Sequence, residues 1–102
     1  MATIVKLVQQ LIRENKIIIF SKSYCPYCTR AKSYFNARNQ AFFALELDQE
    51  GNGGEIQAAL EKMTGQRTVP NIFIRGNHVG GYSDLSRLRA DEVDALLSGP
   101  NL

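Results

Sequence analysis

Apolar residues recur at helical spacing near the start of the chain, at Ile4, Val8, Leu11 and Ile12. With Thr3 as a cap, the pattern predicts an amphipathic helix over residues 3–14. Ile17-Ile18-Ile19-Phe20 is then a short, wholly apolar run of strand-forming residues, which predicts a buried central strand. A helix begins at Pro26, a residue favoured at the first helical position, with Cys28, Ala31 and Phe35 on its apolar face and its end at Asn36 or Asn39. Residues 42–47 alternate Phe43, Leu45 and Leu47 with Ala44 and Glu46, the period of a second strand. After a glycine-rich loop, Ile56, Leu60 and Met63 mark a third helix stopped by Gly65. Residues 72–75 and 78–80 read as two strands joined by Gly76-Asn77. Ser83 is placed to cap a last helix running through Leu85, Leu88, Val93, Leu96 and Leu97 to Gly99-Pro100.

This order, with no repeat or linker, predicts one domain over residues 1–102. A strand–helix–strand unit implies parallel pairing and the closing hairpin implies antiparallel pairing. A four-stranded mixed α/β sheet flanked by helices on both faces, the thioredoxin-like architecture, satisfies both.

Charge and length narrow the function classes. A net charge of +2 over 102 residues, with the basic side chains scattered, gives no electrostatic footprint for nucleic acid. No apolar run approaches the ~20 residues that span a bilayer. The N-terminal helix, interrupted by Lys6, Gln9, Gln10 and Arg13, lacks the continuous apolar core of a secretory signal. A cytoplasmic protein without a membrane partner is the expectation.

The two cysteines stand three positions apart, at Cys25 and Cys28. A disulfide closing so small a ring stabilises a fold by only about 1.9 kcal/mol, so the bond is better suited to opening and closing than to stapling. Zinc needs about four ligands, against two cysteines and one histidine here, so no metal is expected. Cys25 precedes Pro26 and therefore sits at a helix mouth, where unpaired backbone N–H groups receive a thiolate. Cys28 falls inside the first turn, on the same side and partly covered, placed to attack a disulfide formed by Cys25.

Three stretches carry a family resemblance: Lys22-Ser23-Tyr24-Cys25-Pro26-Tyr27-Cys28, Thr68-Val69-Pro70-Asn71-Ile72-Phe73-Ile74 and Gly80-Gly81-Tyr82-Ser83-Asp84-Leu85. In order and spacing they resemble the dithiol glutaredoxins over nearly the whole chain. Thioredoxin itself fits less well, because its motif has Trp before the first cysteine and this chain has no Trp. The resemblance implies a thiol–disulfide oxidoreductase that uses glutathione as co-substrate to reduce glutathionylated and disulfide-bonded proteins. Cys25 would be the nucleophile and Cys28 the resolving thiol.

It also implies a glutathione site beside Cys25. Lys22 and Gln57 would meet the glycine carboxylate, Tyr27 would line the groove, and Arg67 and Thr68 would flank it. The backbone of Val69 would pair with the cysteinyl part, ahead of a cis peptide bond to Pro70. Ser83 and Asp84, at a helix start beside the open backbone of Gly80 and Gly81, would take the γ-glutamyl end. Without the resemblance, Lys22 reads as a solvated charge and Gln57 as an ordinary helix-surface residue. His78 is assigned to the hairpin surface, and a monomer is expected. Two other readings compete: an iron–sulfur carrier with a cluster shared by two Cys25 residues and two glutathiones, and a binding module with an inert Cys25. Pro26 and the second cysteine favour redox work.

Overall fold

The buried strand β1 (Ile17–Ser21) organises the molecule, and all five of its residues are excluded from solvent. It can be so because neighbours cover it on every side. In the computed structural model, which describes residues 2–101, β1 pairs in parallel with β2 (Phe43–Glu46) and antiparallel with β3 (Asn71–Ile74). β3 pairs antiparallel with β4 (Asn77–Gly80), giving the sheet order β2-β1-β3-β4. The mixed sheet expected from the element order is the one observed.

Side chains alternate between two cores. Ile18 and Phe20 of β1 and Phe73 of β3 face α1 (Ala2–Glu14) and α3 (Gly53–Thr64), packing with Val8, Ile12, Ile56 and Leu60. The Phe20 and Phe73 rings meet edge-on, with centroids 6.0 Å apart. Ile17, Ile19, Ile72 and Ile74 face α2 (Pro26–Ala37), α4 (Tyr82–Arg87) and α5 (Ala90–Ser98), with Ala31, Phe35, Leu85 and Val93. Among the described residues, no helix is long and apolar enough to cross a membrane.

Five local readings of the sequence need correction. The 42–47 strand is shorter: Leu47 lies in a 3-10 turn (Leu47–Gln49), and Phe43 is 39% exposed because β2 is an edge strand. The hairpin turn is Arg75-Gly76, one residue earlier than Gly76-Asn77. Both turn residues take positive φ, 49° and 83°, as a two-residue hairpin with the twist of its strands requires. Arg75 holds that conformation because its N–H donates to the Lys16 carbonyl at 2.7 Å and its Nε to the Leu97 carbonyl at 2.6 Å.

The last helix is two helices. The chain extends at Leu88 and Arg89, and the Glu92 carboxylate accepts from the Arg89 N–H at 2.9 Å, starting α5 afresh. Ser83 is not a cap: α4 begins earlier, from Gly81, whose N–H donates to the Asp84 carboxylate at 2.9 Å. Thr3 is not a cap either, because α1 already contains it, whereas the signals that end α2 and α3 hold. Asn39 (φ 56°) and Gln40 close α2 by donating to the Asn36 and Phe35 carbonyls, and Gly65 (φ 80°) closes α3. His78 is exposed, as read, with its ring 5.0 Å from Phe73 and its Nε2 2.9 Å from Asn71 Oδ1.

The burial contrast is measurable. Ile19→Ala, which empties a site between β2 and β3, should lower the free energy of unfolding in urea by about 2–5 kcal/mol. Phe43→Ala should cost less than about 1 kcal/mol. Equal losses would show that β2 is packed more deeply than its edge position implies.

Candidate active site

Leaving β1 at Ser21, the chain reaches α2 within four residues. A tight turn, with the Cys25 N–H donating to the Lys22 carbonyl at 3.0 Å, sets Cys25 as the N-cap in an extended conformation (φ −89°, ψ 117°). Pro26 follows as the first helical residue and has no N–H to lose. The first turn therefore presents the Cys28 N–H to the Cys25 sulfur, and Sγ accepts it at 3.3 Å. This is the capping role that Ser or Asp oxygens ordinarily fill, here given to sulfur. The helix macrodipole adds about 0.3–1 kcal/mol in favour of a negative charge there.

The two thiols are not equivalent. Cys25 is partly exposed, whereas Cys28 is fully buried. Burial pushes the Cys28 thiol up to about 11, and its hydrogen bond and charge interaction with Cys25 act in the same direction. The Lys22 backbone and the Ser21 hydroxyl pull the other way.

The loop before Cys25 is clamped to the turn after β2. The Ser23 N–H donates to Asp48 Oδ1 at 2.9 Å, and the Ser23 hydroxyl donates to Asp48 Oδ2. The Ser23 hydroxyl and then its N–H hold the Asp48 carboxyl below the usual carboxylate range, and the Lys22 charge adds to this.

On the opposite wall, the Val69 carbonyl lies 3.8 Å from Cys25 Sγ, and the Val69–Pro70 peptide is cis, as the resemblance implied. Neither the N–H nor the C=O of Val69 makes a backbone hydrogen bond among the described residues. A groove of about 420 Å³ runs beside it. Of the residues read from the sequence, Tyr27, Thr68, Val69 and Pro70 line one stretch of the groove and Gly81, Ser83 and Asp84 the other.

Lys22, Gln57 and Arg67 stand outside this lining. Lys22 is half-buried and makes no ion pair among the described residues. The Arg67 guanidinium reaches Glu61 at 3.1 Å, and Gln57 Nε2 donates to the Arg67 carbonyl at 2.7 Å. Gly80 is needed at its position: its φ is 115°, and a Cβ there would collide with the Asp84 carboxylate. Gly81 is not forced in the same way, since a Cβ there would meet the Pro70 carbonyl at an ordinary 3.8 Å.

Two lining residues escaped the sequence reading. The Tyr82 ring stands 6.2 Å from that of Tyr27, which itself carries the Arg30 guanidinium 5.1 Å from its centroid. Tyr82 belongs to the third matching stretch, where the sequence reading gave it no role. Gln66 lies two residues before Thr68, and its only sequence signal is that adjacency.

Known proteins combine the same elements. The sequence profile of the glutaredoxin family matches residues 17–79, from β1 through the hairpin. Glutaredoxin-C2 of Arabidopsis thaliana is 46% identical over 83 residues, covering 81% of this chain and 75% of that protein. The crystal structure of a buckwheat glutaredoxin–glutathione complex superposes with a TM-score of 0.89 at 42% identity, covering 95% of this chain and 89% of that one. A wheat glutaredoxin structure gives 0.89 at 40% identity, covering 97% and 95%. The cysteine at the helix mouth and the sheet that carries it thus have a common source: the chain belongs to the glutaredoxin family and has its thioredoxin-like fold.

Proposed function

We infer that this chain is a glutathione-dependent thiol–disulfide oxidoreductase that reduces mixed disulfides between glutathione and proteins, as well as protein disulfides. The observation that carries this is the Cys25 sulfur, capping α2 and facing across the groove the Val69 backbone, which makes no backbone hydrogen bond among the described residues. An extended peptide thiol laid along that wall pairs with Val69 as an added strand does, which brings its sulfur to Cys25. The N–H groups at the start of α4 suit the γ-glutamyl carboxylate, and the Asp84 side chain suits its ammonium. Lys22 and Arg67, with Gln57 behind Arg67, would supply positive charge and donors for the glycine carboxylate.

The Cys25 thiolate attacks the glutathione sulfur of a mixed disulfide. The S–S bond breaks, the protein sulfur leaves with the electron pair and takes a proton, and Cys25 holds the glutathione. A second glutathione thiolate then attacks that sulfur, releasing glutathione disulfide and the Cys25 thiolate. With a protein disulfide, Cys25 becomes linked to the substrate and Cys28 attacks the Cys25 sulfur instead, expelling the substrate as a thiolate. The pKa of Cys28 suits this timing. Two of the causes that raise it, after burial, are its hydrogen bond and charge interaction with Cys25. Both end when Cys25 enters a mixed disulfide, so Cys28 becomes more acidic when its attack is needed.

The cysteines separate by mutation. Cys25→Ser should abolish turnover of a glutathione mixed disulfide, and Cys28→Ser should preserve it, because external glutathione does the resolving. Loss of that turnover in Cys28→Ser would overturn the one-cysteine route.

Alkylation gives a second check. In the reduced protein at neutral pH, a thiol at about 11 is ionised in about one molecule in ten thousand. Iodoacetamide should therefore label Cys25 alone, with Cys28 modified only on unfolding, and mass spectrometry of the digested product reads the ratio. Equal labelling of the two in the folded protein would contradict the assigned roles.

The loop clamp predicts a pH-independent defect. A carboxyl held below its ordinary 3.8 contributes fully above that value and is lost only as pH falls through the lower folded value. Asp48→Ala should thus reduce kcat by roughly three- to tenfold through misplacement of the Cys25 loop. The ratio of variant to wild type should be constant between about pH 5 and 8. A ratio that changes within this window would assign the clamp's effect to another titrating group.

A further inference from the structure

Four successive carbonyls lead into β3, and glutamine side chains occupy three of them. Gln57 Nε2 donates to Arg67 O at 2.7 Å, and Gln66 Nε2 donates to Thr68 O at 3.1 Å and to Pro70 O at 3.0 Å. The fourth, Val69 O, lies between the two Gln66 bonds and is the one that faces Cys25 Sγ. A primary amide nitrogen has two N–H groups, so Gln66 spends its whole donor capacity on this pair of carbonyls. Its own position is anchored to α3. The Gln66 N–H donates to Thr64 Oγ1 at 3.1 Å, and that hydroxyl donates to the Leu60 carbonyl at 2.8 Å.

We propose that Gln66 is a positioning residue for the thiol ligand, its amide nitrogen bridging the Thr68 and Pro70 carbonyls and so turning the Val69 peptide groups toward Cys25. Without the bridge, both flanking carbonyls turn to water and the segment orders only when ligand binds, which weakens binding without altering the sulfur chemistry. The geometry asks for an amide. A carboxylate in the same place would oppose two carbonyl oxygens with no donor, and a shorter side chain would not span them. The inference rests on the glutathione reading of the groove.

The test compares Gln66→Ala and the isosteric Gln66→Glu with wild type, using a mixed disulfide of glutathione and a small thiol. In both variants KM should rise by about five- to tenfold, the effect of two lost hydrogen bonds, with kcat within about twofold of wild type. The rate of Cys25 alkylation should be unchanged, since Gln66 does not touch the sulfur. A pH series supplies a readout that a purely structural role would not move. The Gln66→Glu deficit, taken as a ratio to wild type, should narrow as pH falls through the carboxyl range of about 4–5, where a neutral carboxyl regains one donor. The Gln66→Ala ratio should stay flat.

An unchanged KM in both variants would overturn the proposal, as would kcat and Tm falling together at constant KM, or a Gln66→Glu ratio that does not move with pH. Failure of the underlying reading looks different: wild-type protein with no turnover of the mixed disulfide would remove the glutathione assignment and this inference with it.

Discussion

A backbone N–H at the start of a helix has no carbonyl to bond, and the structure around Cys25 follows from how that need is met. Sulfur takes the bond from the Cys28 N–H, so the group that must become an anion is held by the same contact that starts α2. The arrangement works only if the helix begins at one particular residue. Pro26 sets that start from the sequence side, and the end of β1 sets it from the fold side, because Ser21 is buried and the next four residues have no freedom to slip. The Ser23–Asp48 clamp removes what freedom remains, tying the turn to the segment that follows the neighbouring strand. Catalytic geometry is in this way inherited from a central strand with no exposed residue.

Much of this was legible in the residues. A run of Ile17 to Phe20 admits few alternatives to a buried strand, Pro26 announces a helix start, and Gly65 a helix end. The cysteine roles followed from their positions relative to Pro26. What escaped depended on the backbone or on distant neighbours. The Arg75-Gly76 turn is set by contacts from Arg75 to Lys16 and Leu97, which a reading confined to Gly76-Asn77 cannot see. The break at Leu88 and Arg89 lies inside an apolar pattern that continues across it, because both halves face the same core. The only local hint was the pair Asp91 and Glu92, acidic residues suited to a first turn.

The site shows the same division. Residues with an assigned place in a motif, such as Thr68 and Asp84, were found at the groove, whereas Gln66 and Tyr82, whose residue types announce no chemistry, were not. Lys22, Gln57 and Arg67 behave differently again. They stand outside the groove lining, and two of them already have protein partners in Glu61 and the Arg67 carbonyl. On the proposed reading they would meet the glycine end of glutathione, whereas Ser83 and Asp84 would take the γ-glutamyl end.

The occupied carbonyls of Arg67, Thr68 and Pro70 carry a further consequence, for ligand length. A sheet edge offers a pairing partner every second residue, so affinity grows as a peptide lengthens. This wall is a ladder one rung long. An extended chain laid against it finds one residue with which to pair, and further residues on either side meet acceptors already in use. On the proposed reading, discrimination would then come from the two ends of the ligand, at the α4 terminus and at the Lys22–Arg67 region. Such a site would act as a ruler, favouring a short peptide with charges at both ends over a long segment of unfolded protein, even one rich in strand-forming residues.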